Sequence, residues 1–313
     1  MRKPLNARLV TLVAGAALLL PTSVACGQSS PAGDQSPPAG GQSPPAGDPG
    51  APTGDRGQPT LNIVGLTNDN KLVEFSSDNP APRETGTISG LSGGDTKLVG
   101  IDYRVQDGKL YGVGDKGGLY TLETSGQATS VGRLTITPQG TNFGVDFNPA
   151  ANALRVVSDT GQNLRQPFAA TPLSATVADS QLTFPPVPPA TPPAPAAPGI
   201  TGAAYTNNDT DPNTGTTLYD LDTTTDQIVI QSPANAGLLA ATGKLTVDAG
   251  ADSGFDIYSV VSGGSITNQL AFATLPVGGQ YGLYRITLFS GKAEMVGGLN
   301  RNVVDLAIPL NQS

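Results

Sequence analysis

Histidine and tryptophan are absent from this 313-residue chain, cysteine occurs once and methionine twice. Without histidine, imidazole general bases, histidine-activated nucleophiles and histidine metal sites have no carrier. Without tryptophan, indole-lined sugar platforms are excluded, and base stacking loses one of its usual carriers. Charge is sparse at 13% of residues, and its balance is acidic, with 17 Lys and Arg against 25 Asp and Glu. A net charge of -8 with no run of basic residues repels a phosphate backbone, so no nucleic-acid partner is expected. A lone cysteine allows no intrachain disulfide, so any exported domain here must hold by packing alone.

What is abundant is glycine (40), proline (28), threonine, valine and leucine, a composition of strands and turns. The N-terminus is different. Arg2, Lys3 and Arg8 precede an apolar run over residues 9–20, and Ser23-Val24-Ala25 then offers small residues at a cleavage position, so residues 1–25 read as an export signal. The run is too short to span a bilayer as a stable helix. Small residues directly before Cys26 resemble the lipobox of bacterial lipoproteins, with Ser23 as a departure where a larger aliphatic residue is usual. The expectation is lipidation of Cys26, and a lipid anchor as the sole membrane contact, on the outer side of the cytoplasmic membrane. Ordinary secretion or periplasmic release after Ala25 is the alternative. Residues 26–59 continue as a Gln/Ser/Pro/Ala/Gly/Asp tract with a period of seven that starts at Gln28, Gln35 and Gln42. It holds no large apolar residue to bury, and is expected to be a disordered tether.

From residue 60 to 313 one unit recurs: strand, turn, strand, turn, strand, turn, strand. Its clearest copy opens at Phe143, turns at Asn148-Pro149, resumes at Leu154, turns through Asp159-Thr160-Gly161 and resumes at Asn163. Further copies open near Val99, Thr201 and Gly254; the second turns at Asp107-Gly108, a hairpin signal. The N-terminal end of this region offers three strands, and its C-terminal end a single strand over residues 303–308. Pairing that last strand with residues 62–66 closes a ring and removes exposed edges. The expected fold is therefore an all-β propeller of five four-stranded blades, interrupted by a proline-rich insertion at 184–199.

Several of these segments, Gly144-Val-Asp-Phe-Asn-Pro, Leu154-Arg-Val-Val-Ser-Asp-Thr-Gly-Gln-Asn-Leu-Arg, Ala203-Ala-Tyr-Thr-Asn, Thr217-Leu-Tyr-Asp-Leu-Asp and Gly254-Phe-Asp-Ile, together resemble the bacterial exported family known as domain of unknown function 4394. The resemblance covers nearly all of residues 60–313. It implies no activity, cofactor or catalytic residue, and the proline-rich insertion departs from the family's pattern.

Asp102, Asp146, Asp256 and Asp305 share one position in the first strand of their blades, where Ala204 stands in the fourth. They read either as a carboxylate ring for a cation or, the preferred reading, as caps on backbone N–H groups of neighbouring blades. Asp209, Asp211 and Asn213 open a stretch like a calcium loop, with Asp220 at the closing position; the glycine is one place late and a proline lies inside, which favours a plain loop. No cofactor is expected, and calcium is the one ion worth testing. Glu74, Glu84, Glu123 and Glu294 fall on or beside third and fourth strands, away from a channel mouth, and so supply no paired acids there. Arg155 and Arg165 suit either a bidentate anion clamp or, preferably, ion pairs with Asp146 or Asp159. One face of the ring gathers the turns between second and third strands and the links between blades. It carries the candidate ligand-binding residues Asp115, Lys116, Asp159, Gln162, Asn163, Asp252 and Arg301, with the insertion as a wall, lid or spacer. The expected function is a monomeric cell-surface binding or scaffold module for a protein or small molecule. The alternative is an extracytoplasmic hydrolase or lyase using aspartates and a divalent cation.

Overall fold

The computed structural model describes residues 58–186, 196–211, 214–262 and 265–312. The export signal, Cys26, the tether, Asn213 and the centre of the proline-rich insertion lie outside them. Strands form where Val, Thr and aromatic runs stand between Gly, Asn and Pro turns. They are β1 (Asn62–Thr67), β2 (Lys71–Ser76) and β3 (Arg83–Thr87), then β4 (Leu98–Arg104), β5 (Lys109–Gly114), β6 (Gly118–Leu122) and β7 (Ala128–Arg133). Next come β8 (Phe143–Asn148), β9 (Ala153–Ser158), β10 (Asn163–Pro167) and β11 (Val177–Ala178), followed by β12 (Ile200–Tyr205), β13 (Leu218–Asp222), β14 (Gln227–Gln231) and β15 (Leu239–Lys244). The last are β16 (Gly254–Ser262), β17 (Ser265–Val277), β18 (Gln280–Ile286), β19 (Ala293–Gly298) and β20 (Val303–Ala307).

These strands form five antiparallel four-stranded sheets, each consecutive in sequence except the first, whose order is β20-β1-β2-β3. The pairing of Val64 with Ala307, Gly65 with Leu306 and Leu66 with Asp305 is the ring closure that the strand count predicts. The inner strands touch in a closed cycle, β4 to β8, β8 to β12, β12 to β16, β16 to β20 and β20 back to β4. The molecule is a five-bladed β-propeller.

Burial follows position in the blade. β12 is buried at every residue, whereas β15, the outer strand of the same blade, buries fully only Leu239. An inner strand has a neighbour on both faces, so its sequence is apolar and small; an outer strand meets solvent and leaves most of its side chains there. Glycine sets how closely inner strands approach: a Cβ on Gly202 would stand 2.8 Å from Phe255 Cβ, and one on Gly254 2.5 Å from Asp305 Cα. The core is accordingly five apolar wedges, one between each pair of blades. Four blades carry a register shift between third and fourth strands, at Leu72/Val73, Leu119/Tyr120, Ile228/Val229 and Leu283/Tyr284. Such bulges raise the local twist and splay the blade outward.

The third blade departs from this pattern. Its fourth strand, β11, has two residues, and the chain then enters the proline-rich insertion. The described flanks are pinned between blades: Thr183 bridges both Ala196 and Leu238, and Leu182 and Ala197 are buried in the wedge between blades three and four. Among the described residues this wedge holds nine buried apolar residues, against fifteen between blades four and five. Polar side chains occupy the remainder.

Candidate binding site at the channel mouth

The aspartate ring is real and is chiefly structural. Asp102 accepts from Phe147 N at 2.7 Å, Asp146 from Tyr205 N at 3.0 Å, Asp256 from Ile308 N at 2.7 Å and Asp305 from Ile101 N at 2.8 Å. Each bond crosses to the next blade, so the carboxylates cap inner-strand N–H groups that the ladder cannot reach. Ala204 leaves a gap, and Ile257 N is capped by its own neighbour Asp256 at 2.5 Å.

Oxygens of Asp102, Asp146 and Asp256 lie within 4.8 Å of one another. Burial and mutual repulsion push the carboxyls of Asp102 and Asp146 well above the usual range, and burial pushes Asp256 up to about 7. Burial also raises Asp305. The floor of the channel beside them offers about 20 Å³, room for one water. A calcium ion takes six to eight oxygens. Both oxygens of Asp102 and of Asp256 already accept backbone N–H bonds, so this set fits calcium poorly and fits shared protons well.

At the other end of the channel the strand order brings together the β1–β2 turn and the segments that lead into inner strands. They enclose a cavity of about 120 Å³, lined by Asn68, Asn70, Lys97, Thr141, Asn142, Asp252 and Ser253 among others. Asn70 adopts the left-handed conformation at φ 61°, which asparagine tolerates, and its side chain accepts from Leu98 N at 3.0 Å. Asn142 donates to Asp252 at 3.3 Å, while its Oδ1 is buried without a partner among the described residues.

Of the seven residues expected to bind ligand, the structure brings Asp252 alone to this cavity. Asp115 and Asp159 stand behind its wall: Asp115 accepts from Thr96 N and Lys97 N, and Asp159 from Thr141 N and Asn142 N. These are matching caps, which shape the cavity rather than face it. Lys116 pairs with Asp115 at 3.2 Å, and Arg301 with Glu84 at 3.2 Å. Gln162 bonds the backbone of Gln139 and Thr137, and Asn163 is buried in a blade interface. Asn142, Thr141, Lys97 and Ser253 escaped the sequence reading. The legible signal was their place, one to three residues before the glycine of an inner strand.

Two further expectations are resolved by contacts. Arg155 and Arg165 do form ion pairs, but with Asp179, at 2.7 and 2.9 Å, and not with Asp146 or Asp159. Asp146 is spent on Tyr205 N and Asp159 on the mouth loop, whereas Asp179, directly after β11, donates its N–H to Asn163 O at 2.9 Å and so lies beside β10. In the loop after β12, Asp209 Oδ1 accepts from Asp211 N at 2.8 Å, an ordinary turn bond.

Residues 71–307 match the profile of the family described as Domain of unknown function (DUF4394). The chain belongs to the DUF4394 family. No match is found among the curated proteins. Among solved structures, this DUF4394 chain is similar to a Lactobacillus plantarum protein at 18% identity, covering 76% of this chain and 66% of that one, with a TM-score of 0.34. It is also similar to a chain of a nidogen/laminin complex at 10% identity, covering 81% and 100%, with a TM-score of 0.44. A third likeness is to a Bacteroides thetaiotaomicron protein of unknown function at 13% identity, covering 82% and 63%, with a TM-score of 0.42. The chain thus spans just under two thirds of the first and third of these. Likeness at these scores transfers no function. Among the described residues, no helix is long and apolar enough to cross a membrane.

Proposed function

We propose that this DUF4394 protein is an extracytoplasmic binding module that takes a small, uncharged polar group into the mouth of the propeller channel. The carrying observation is Asn142 Oδ1, buried without a partner among the described residues, in the wall of a cavity whose polar lining is hydroxyl, amide and one charge of each sign, beside Leu98, Val99, Phe143, Ala251 and Val304. An unpaired buried acceptor costs about 1–3 kcal/mol, a cost that an incoming N–H or O–H removes. Size narrows the occupant: a cavity of about 150 Å³ holds one benzene, so about 120 Å³ admits a side-chain tip or the edge of a ring, the end of a larger ligand. Lys97 and Asp252 offset each other and favour a neutral group. Export is supported by the charged, apolar and small-residue order of residues 1–25. The strand β1 runs toward the mouth, so the chain enters the domain at the opposite end. The test is titration calorimetry with neutral mono- and disaccharides and amide-bearing dipeptides. A ligand of the mouth should bind about tenfold or more weakly to Asn142→Ala. Equal binding by the variant, or no binding by any of the panel, would remove the mouth from consideration.

A second reading, a hydrolase or lyase assisted by a cation, is favoured by the three carboxylates within 4.8 Å. It requires that Ca²⁺, Mg²⁺ or Mn²⁺ raise the melting temperature in a saturable way. A flat response to all three would leave the aspartates as caps.

A further inference from the structure

In the wedge between blades three and four two arginines share a single carboxylate. Arg155 is 2% exposed and is held from four sides. Its Nη1 donates to Asn163 and to Asp179, both at 2.7 Å, its Nη2 to Asn235 at 2.8 Å and its Nε to Tyr205 Oη at 3.3 Å. Arg165 grips the same Asp179 with Nε at 2.9 Å and Nη2 at 3.0 Å. Two guanidinium groups therefore share one carboxylate, whose side chain is 6% exposed. A further acid of the wedge, Asp220, is fully buried with both oxygens unpaired among the described residues, and burial holds it well above the carboxylate range, so it adds no compensating charge. Around Asp179 one positive charge remains.

That surplus faces an open cleft. Where the β8–β9 turn meets the β14–β15 turn, a cavity of about 280 Å³ is lined by Arg155, Arg165 and Tyr205, and on its other sides by Ala151, Ala153 and Pro233. The Arg165 side chain is 30% exposed, and its Nη1 makes no hydrogen bond among the described residues. Tyr205 Oη accepts from Arg155, which leaves its proton to donate. Asn148 adds an amide at the rim. We infer that this cleft binds the carboxylate of a small organic acid, the carboxylate on Arg165 Nη1 and Tyr205 Oη and the carbon skeleton against the alanines and proline. Oriented N–H donors beside a fixed net charge suit a planar carboxylate. The apolar walls and a volume nearly twice that which holds benzene suit an acid of single-ring size.

The site is separate from the channel mouth, so its test is too. Glucuronate and benzoate are titrated into the protein by calorimetry and followed by melting temperature, with glucose as the neutral probe and inorganic phosphate at matched ionic strength as the charge control. Saturable binding of either carboxylate with a raised melting temperature is expected, and none by glucose. Arg165→Gln removes the surplus charge and should weaken binding about tenfold or more. Because that variant also loses half of the Asp179 clamp, Ala151→Glu serves as the second: Ala151 is exposed on a turn, and a glutamate there places a competing carboxylate at the rim. It should abolish binding while leaving the ligand-free melting temperature within a few degrees. Failure of both carboxylates to bind, an equal response to phosphate, or undiminished binding by Ala151→Glu would each overturn the inference. Asn142→Ala should bind these acids normally, which separates this cleft from the mouth.

Discussion

At the scale of single residues, Asp256 shows how one side chain serves closure and yet limits stability. Its two oxygens cap Ile257 N and Ile308 N, while burial pushes its carboxyl up to about 7 from an ordinary 3.8. The folded state therefore holds a proton that the unfolded chain releases. That contribution is complete below about pH 3.8 and is lost as pH rises through about 7. Asp179, whose pKa is lowered by its hydrogen bonds to Arg165 and Arg155 despite burial, acts in the opposite sense and loses its contribution as pH falls below the usual carboxylate value. Asp256→Asn keeps a carbonyl oxygen for one cap and removes the titration. Denaturant unfolding at pH 4, 6 and 8 should show the variant gaining on the wild type as pH rises, by a few kcal/mol at pH 8. A wild-type advantage at pH 8 that a chelator abolishes would instead mean that a cation sits on the ring.

At the scale of elements, β20 contributes more to the fold than its five residues imply. It supplies the inner strand of the first blade, pairs with β1, and carries Asp305, which caps Ile101 N in the second blade. Val303 and Leu306 on it, and Ile308 just beyond, are buried in the wedge against the fifth blade. Burying three such side chains is worth about 1.5–3 kcal/mol each, a sum comparable with the 5–15 kcal/mol net stability of a typical domain. A chain ending at Asn300 should therefore fail to melt cooperatively. Retention of the full chain's melting temperature would show that the ring does not need this closure. The strand order that makes β20 indispensable follows from repeat arithmetic: three strands at the front of the domain and one at the back complete one blade.

At the scale of the whole molecule, a ring of five wedges leaves a channel with room for one water beside the ring aspartates and a cavity of about 120 Å³ at its mouth. The mouth cavity and the cleft between blades three and four are both products of irregularity, in the loops that enter inner strands and in the truncated β11. The lining residues of both come after residue 66, beyond the tract over residues 27–58. Deleting that segment should leave the melting temperature unchanged, because a tract without large apolar residues buries little. Cys26→Ala should move the protein from the membrane fraction to the soluble fraction in a cell fractionation. Retention in the membrane would rule out a lipid anchor at that residue.

The amino-acid order alone determined the blade count and the closure of β20 on β1, and it favoured caps over a cation site for the ring aspartates. These rest on local signals: turn residues at fixed intervals, a small inner strand opening on glycine, and acids recurring at one place in it. The binding surfaces were decided by tertiary structure. Asp115 and Asp159 sit in turns between second and third strands, and each turns inward to cap a neighbouring loop; side-chain direction in a turn has no periodic signature. Asn142 became prominent once folding buried its oxygen beside Asp252, 110 positions away. Arg155 and Arg165 stand across from each other on paired strands. Their partner Asp179 lies directly after a two-residue strand too short to read from pattern, so the charge surplus of that wedge exists as a property of the folded blades and not of any segment of the chain.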